Sequence, residues 1–427
     1  MRILVLGSGA REHAIIRALL REEAGHEVLA APGNAGIAQD VSVVALNPND
    51  PVAVTEFAAL ENIALVVVGP EAPLVAGVTD ALRERGIAVF GPSQAAAQLE
   101  GSKAFAKRIM DAAGVPTGRA ARARTITELE AALDEFGAPY FVNADGLAAG
   151  KGVIVTEDRA AAVAHGAQYL SVGSILIEEF LRGPEVSLFF LSDGDTVAAL
   201  APAQDFKRLS DGDLGPNTGG MGAYSPLPWL DARFGSEAAF VDAVRRTVAM
   251  PVISQMDAEG TPFVGLLYCG LILTDHGIKV IEFNARFGDP ETEAVLPRLR
   301  TPLSTLLYAA ATGSLESAPN PEFSSEAAIT VVLASEGYPA APITGRELSG
   351  LEAASALPGV HLDHAATAVT ESGALVATGG RVLNVVAVGS DLTEARERAY
   401  AAFEELTLAG GQFRRDIAAR AAAGEQL

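Results

Sequence analysis

Glu282 and Asn284 sit two residues apart in the run Lys279-Val280-Ile281-Glu282-Phe283-Asn284. Apolar Val280, Ile281 and Phe283 predict a strand, and side chains at i and i+2 of a strand leave the same face. One carboxylate and one amide oxygen therefore converge. That pair suits a hard divalent cation, because Mg²⁺ takes oxygen ligands, commonly one or two from protein with water and phosphate completing the shell. Arg286 and Asp289 follow at once in a loop. An isolated Glu-x-Asn is more often a solvated strand edge, so the neighbouring chain has to decide.

Two glycine-rich stretches offer further chemistry. The apolar run Arg2 to Leu6 passes through Gly7-Ser8-Gly9-Ala10-Arg11-Glu12-His13 into an Ala/Ile/Leu-patterned helix near Glu12 to Glu23. Backbone N–H groups at such a turn favour a phosphate or carboxylate. The dinucleotide fingerprint needs a third glycine where Glu12 stands, so this turn does not match a nicotinamide site. Apolar strands also end at Gly69-Pro70-Glu71 and Gly91-Pro92. In an open parallel sheet, ligands gather beyond the carboxyl ends of strands, which places Gly9, Glu71 and Pro92 on one rim. The second stretch, Gly146 to Gly152 with Lys151, joins expected strands at 140–143 and 153–155. Glycines let a backbone approach phosphate closely, so it reads as a flap; without Gly-x4-Gly-Lys-Ser/Thr it is not a P-loop.

These pieces need several elements to hold them. At 427 residues the chain exceeds one core and suits about three domains. We expect an N-terminal parallel α/β domain at 1–102, a central region at 103–325 with a flap subdomain near 119–187, and a C-terminal mixed-sheet domain at 326–427 closed by a helix near 393–406. With 31 basic and 53 acidic residues the net charge is −22, which repels nucleic acid and anionic membranes. Cys269 is the only cysteine, so no disulfide forms within the chain, as suits a reducing cytoplasm. The apolar start is too short for a signal-peptide core, and no stretch reaches membrane-spanning length. His364 is read as structural.

Taken together, the strand and glycine flap, the Glu178-Glu179-Phe180-Leu181 bend and the Glu-x-Asn strand resemble an ATP-grasp ligase. The chain is most similar to the phosphoribosylamine–glycine ligase family, also called glycinamide ribonucleotide synthetase, of purine biosynthesis. The likeness runs almost end to end through Gly7 to Ala14, Ala31 to Gly36, Val68 to Leu74, Leu99 to Lys103, Gly215 to Pro226 and Gly379 to Leu383. It implies an ATP-grasp fold with an N-terminal Rossmann-like domain, a two-lobed centre and a small C-terminal domain. It also implies that ATP activates glycine and that 5-phosphoribosylamine attacks the glycyl phosphate. Under the resemblance Lys103, the Gly146, Gly150, Lys151 and Gly152 flap and the position of Asn143 meet ATP phosphates. Glu178, Glu179 and Leu181 line the adenine slot, and Glu185 takes the ribose. Glu282 and Asn284 hold Mg²⁺ or Mn²⁺. Asp213, Asn217, Gly220 and Arg286 serve glycine and the transition state, while Gly9, Arg11, Glu12, Glu71 and Asp289 serve the phosphoribosyl side. The expected protein is a cytoplasmic monomer or weak homodimer.

Two positions depart from the family pattern: Asn143 stands where the family has lysine, and Phe206 where it usually has histidine. They leave two alternatives, a ligase retuned to another amino acid or amine, and a catalytically weakened nucleotide-binding relative. A hydrogen bond from a charged donor contributes about 1.5–3 kcal/mol, so its loss costs roughly tenfold to a hundredfold. Asn143→Lys should therefore lower the apparent KM for ATP or raise turnover, measured as glycine-dependent ADP formation across ATP concentrations. A lysine form that is no better would favour the retuned ligase.

Overall fold

The computed structural model describes residues 1–144, 152–171 and 173–426. It opens with β1 (Arg2–Gly7), α1 (Ala10–Arg21), β2 (Glu27–Pro32), β3 (Ser42–Val43), β4 (Leu65–Val68) and β5 (Val89–Phe90). These strands form one parallel sheet in the order β3-β2-β1-β4-β5. Ile3, Leu4, Val5 and Leu6 are fully buried and belong alternately to two cores. A strand covered on both faces has no polar side, which is why these runs are continuously apolar. The carboxyl ends of β1 and β4 lie next to each other, bringing the Gly9 turn and the Glu71 turn onto one rim.

Helix α2 (Lys103–Ala113) leads into the centre of the molecule, with Ser102 accepting from the Phe105 N–H as its cap. A small lobe follows: β6 (Ala120–Ala123), β7 (Tyr140–Ala144), β8 (Val153–Thr156) and β9 (Ile175–Glu178), antiparallel in the order β6-β9-β7-β8. Val142, Ile175 and Ile177 pack against Leu129, Leu133 and Ala162 from two helices, a core separate from the rest. A second four-stranded sheet contains β10 (Glu185–Asp193), β11 (Val197–Ala199) and two later strands. Between them come β12 (Gln204–Asp205), β13 (Arg208–Ser210), β14 (Leu214–Asn217) and β15 (Gly222–Ser225). Strands β16 (Val264–Thr274) and β17 (Gly277–Asn284) complete the order β11-β10-β16-β17. Val186, Leu188 and Phe190 enter one core, whereas Phe189 and Leu191 enter another.

The remainder is built on β18 (Ala327–Ala334), β19 (Leu348–Ser349), β20 (Val360–His364), β21 (Thr367–Val369), β22 (Leu375–Ala377), β23 (Arg381–Gly389), α3 (Leu392–Glu405) and β24 (Thr407–Leu408). Its main sheet, β12-β15-β18-β23-β20, takes two strands from the central region and is antiparallel at every pairing. Ala395, Ala399, Ala402 and Phe403 of α3 are buried on the face that sequence periodicity predicts. Among the described residues no helix is long and apolar enough to cross a membrane.

Helix α1 meets β20 across the N- and C-terminal parts. His364 is buried there, and burial, followed by nearby His13 and Arg17, lowers its pKa to about 4. The unfolded imidazole titrates near 6.5, so between about 6.5 and 4 the unfolded chain binds the extra proton. Stability is then complete above that window and falls with pH inside it, by up to about 3 kcal/mol from this group. Unfolding midpoints measured from pH 7 to 4.5 should decline more steeply for the native chain than for His364→Gln. Equal slopes would remove His364 as the cause.

Candidate active site

A β-bulge sets the Glu282 shelf. Gly270 pairs with Glu282 and Leu271 with Val280, leaving Ile281 as the extra residue. An extra residue reverses strand alternation. Val280 and Phe283 can thus both enter one apolar core, while Glu282 and Asn284 leave by the opposite face. Buried polar residues share that face from neighbouring strands. Tyr268 donates to Glu291 Oε1 at 2.8 Å, and Ser187 meets both, at 2.8 Å from the Tyr268 hydroxyl and 3.1 Å from Glu291. Glu185 lies two residues before Ser187, and its Oε2 accepts from Lys207 Nζ at 2.8 Å. Lys103 Nζ stands 3.8 Å from Glu282 Oε2. Burial alone would raise the Glu282 pKa, but Lys207, Lys103 and Arg286 outweigh it and hold the carboxylate below its ordinary value. Asp205 behaves oppositely: burial pushes it up to about 7, against the pull of Lys207 and with Glu291, Glu185 and Glu282 adding to the rise.

The small lobe presents its unpacked face to the same region. Because Val142 and Ile177 point into the lobe's core, Asn143 and Glu178 point the other way, on paired strands. Lys107 of α2 reaches this face, donating to Glu178 at 2.9 Å, Thr117 Oγ1 at 2.8 Å and the Gly118 carbonyl at 3.1 Å. Asn143 is buried, and its Nδ2 has no hydrogen-bond partner among the described residues. Glu179 accepts from the Arg119 N–H at 3.2 Å and lies 3.7 Å from Lys279 Nζ. Leu181 packs by Gly118. Gly152 closes the described part of the loop, its carbonyl 3.0 Å from His165 Nε2. Gly146, Gly150 and Lys151 lie outside the described residues.

At the rim, Glu12 has a different role from the one expected of it. Its carboxylate is buried, accepting from the Gly9 N–H at 2.6 Å and from Arg11 Nε at 2.5 Å. A Cβ at Gly7 would lie 2.5 Å from the Glu12 side chain, and one at Gly69 would also collide with it. Glu12 thus fills the space beneath both turns, and the Gly9 N–H is already committed to it. Arg11 donates onward to the Phe287 carbonyl at 3.3 Å. Burial would lower the Arg11 pKa, but Glu12, Asp289 and Glu71 reverse that and raise it. Arg286 lies 3.1 Å from Glu100 and 3.5 Å from Glu71. The rim opens on a cavity of about 380 Å³ lined by Ser8, Gly9, Asn34, Asp289, Thr367 and Arg381, among others. Arg381 Nη1 reaches the Asp289 carbonyl at 2.8 Å and its Oδ1 at 3.1 Å.

Arg381 also donates to the Gly219 carbonyl at 2.7 Å, and Gly220 packs so tightly on Pro290 that a Cβ would overlap the ring. That end of the loop joins the rim. Asn217 is exposed on β14, paired with Arg208. Asp213 is exposed too, and its carboxylate is held by buried Arg414 at 2.8 Å. Phe206 lies under the Arg414 guanidinium, 4.8 Å from ring centroid to carbon, a position where an aromatic face gains from the cation. Lys107, Lys207, Asp205, Asn34 and Arg381 received no role from sequence reasoning. Lys207 and Arg381 stand inside family-like blocks, but a cation's direction is not legible in one dimension.

Comparison with known proteins adds to this geometry. Residues 1–100 match the phosphoribosylglycinamide synthetase N domain, 101–292 its ATP-grasp (A) domain and 328–420 its C domain. The phosphoribosylamine–glycine ligase of Leifsonia xyli subsp. xyli is 67% identical over 99% of this chain and 100% of its own. That of Streptomyces coelicolor is 55% identical, again over 99% of this chain and 100% of the relative. A crystal structure of the Thermotoga maritima phosphoribosylamine–glycine ligase aligns with a TM-score of 0.81 at 34% identity, covering 98% of this chain and 100% of that one. The biotin carboxylase domain of Hydrogenobacter thermophilus 2-oxoglutarate carboxylase, at 18% identity and a TM-score of 0.67, covers 96% of this chain and 91% of that one and shares the fold.

Removing the Glu12 carboxylate would leave buried Arg11 without its ion-pair partner, which typically costs about 3–5 kcal/mol. Glu12→Ala should lose that much stability in urea denaturation. A loss below about 1 kcal/mol would show that the turn holds itself without this pair.

Proposed function

The chain belongs to the phosphoribosylglycinamide synthetase family, and we infer from this that it joins glycine to 5-phosphoribosylamine with ATP, giving glycinamide ribonucleotide, ADP and phosphate. This is an ATP-grasp ligation of purine biosynthesis, using ATP with a divalent metal. The observation that carries the reading is the facing of two sites across the loop after β17. On one side lies the polar sheet face with Glu282 and Asn284; on the other lies the cavity between Gly9 and Arg381.

Glu282 and Asn284 suit Mg²⁺ or Mn²⁺, since both offer oxygen and the Glu282 pKa is held low by surrounding cations. When bound, the metal neutralises phosphate charge as the phosphoryl group moves. Lys103 and Lys207 stand near Glu282 and supply positive charge where phosphoryl oxygens would gather. Asn143, whose Nδ2 has no hydrogen-bond partner among the described residues, offers its N–H to the nucleotide, with Glu178, Glu179, Leu181 and Glu185 framing the nucleoside. The flap at Gly146, Gly150, Lys151 and Gly152 covers the phosphates and keeps water from the glycyl phosphate. Arg286, Asn217 and Asp213 complete the glycine side, Asp213 acting through the hairpin that Arg414 steadies.

The phosphoribosyl group is assigned to the cavity. Asn34, Thr367, Thr378 and Arg381 line it beside Gly9 and Asp289, and Arg11, Glu12, Glu71 and Gly220 brace the rim. The amine then lies toward Arg286 and the sheet face, where it meets the activated glycine. We place this work in the cytoplasm, carried out by a monomer or weak homodimer.

Phosphate release should require glycine and phosphoribosylamine together. Release with another amino acid and none with glycine would instead favour a retuned ligase. Glu282→Ala should lose at least about a hundredfold in turnover with its circular dichroism unchanged. Full activity at ordinary Mg²⁺ would remove the metal assignment.

A further inference from the structure

His13 does not reach the cavity, yet it stands behind both of its walls. It is fully buried on α1, four residues beyond Gly9. Its Nδ1 lies 2.9 Å from the backbone nitrogen of His364, at the end of β20. A backbone N–H can only donate, so Nδ1 must be the unprotonated acceptor and Nε2 must carry the imidazole hydrogen. Nε2 lies 2.9 Å from Asp40 Oδ2, which accepts that hydrogen. Arg17 supports the arrangement, 3.2 Å from Asp40 and 3.1 Å from Asp363. With Nε2–H committed to Asp40, the 3.2 Å approach of Arg17 Nε to the same nitrogen is a contact between two donors.

The partner of this hydrogen bond leads directly into the cavity wall. Residues Ala365, Ala366 and Thr367 follow His364 and line the cavity opposite Ser8 and Gly9. His364 itself bonds Thr367 Oγ1 through Nδ1 at 2.9 Å. Asn34 bridges from the other side, its Nδ2 lying 2.9 Å from the Ser8 carbonyl and 2.7 Å from the His364 carbonyl. The spacing across the cavity is thus set by Asn34 in front and by His13 behind.

We propose that His13 is a positioning residue for the phosphoribosylamine pocket, holding the Ala365–Thr367 wall against the Gly9 turn through the hydrogen bond its Nδ1 accepts from His364. The proposal rests on the pocket assignment above. Asp40 selects the tautomer that makes the bond possible. Loss of the bond loosens one wall of the pocket and leaves the nucleotide face untouched.

Two isosteres separate this from a filling role, since asparagine places an acceptor where Nδ1 sits and glutamine a donor where Nε2 sits. His13→Gln should raise the KM for phosphoribosylamine by about tenfold, with the KM values for ATP and glycine unchanged. His13→Asn should keep the phosphoribosylamine KM within about threefold of the native value. Equal KM values in the two variants would overturn the proposal. Should His13→Gln fail to fold, Asp40→Leu decides, because with the acceptor gone Arg17 Nε donates to Nε2 and the hydrogen moves onto Nδ1. A raised phosphoribosylamine KM supports the proposal and a native value overturns it. Amide exchange at His364 in the free protein reads the same bond without the reaction. Faster exchange in the glutamine than in the asparagine form supports the proposal, equal rates sink it, and neither depends on which substrate the pocket takes.

Discussion

The loop from Ala285 to Pro290 is held by all three parts of the chain, and the arrangement of the site depends on that. From the N-terminal sheet, Arg11 donates to the Phe287 carbonyl, and Glu100 accepts from the Ala285 N–H at 2.8 Å while pairing with Arg286. From the C-terminal sheet, Arg381 holds Asp289 by both its carbonyl and its carboxylate. The central sheet supplies the loop itself as the continuation of β17. Buried charges are costly unless paired and hydrogen-bonded. Glu100 with Arg286 and Arg381 with Asp289 are paired only when the parts are assembled, so the charges that specify the site also specify the assembly.

That device answers a problem posed by composition. A chain carrying a net charge of −22 must bind phosphorylated reactants, and its long-range field opposes them. The structure meets the difficulty locally. Lys103 and Lys207 stand by Glu282, Lys107 by Glu178, and Arg11 and Arg381 by Asp289. Each cation is kept in place by a carboxylate at short range. Under the proposed function, an incoming phosphate would meet groups already oriented, and little reorganisation would be needed when charge develops.

Much of this was legible in order of residues. The continuous apolar runs at β1 and β4 announce a sheet buried on both faces, and the two-residue spacing of Glu282 and Asn284 announces a shared direction. The helix at Lys103–Ala113 is bounded by Ser102 and Gly114, and the structure shows a side-chain cap and a left-handed glycine there. The resemblance assigns Glu12 to the phosphoribosyl side. Its burial under Gly7 and Gly69 depends on two strands distant in sequence, and no local pattern reports it. The resemblance places Asp213 with Asn217 and Gly220, and the order of residues does not show that Arg414, some two hundred residues away, holds its carboxylate.

The sequence by itself determined the element types, the excluded dinucleotide site and the residues able to carry oxygen ligands or positive charge, because those follow from side-chain chemistry and short-range period. Tertiary structure alone decided which faces those residues use. The Ile281 bulge lets Glu282 and Asn284 leave the core that Val280 enters, and the sheet shared by β15 and β18 joins central and C-terminal parts. His13 and Asn34 gain their roles only when the N-terminal part meets β20, and Arg381 only when β23 meets the loop after β17. Hydrogen bonds between residues hundreds of positions apart have no local period to betray them, and their geometry exists only once burial has brought the donors and acceptors together.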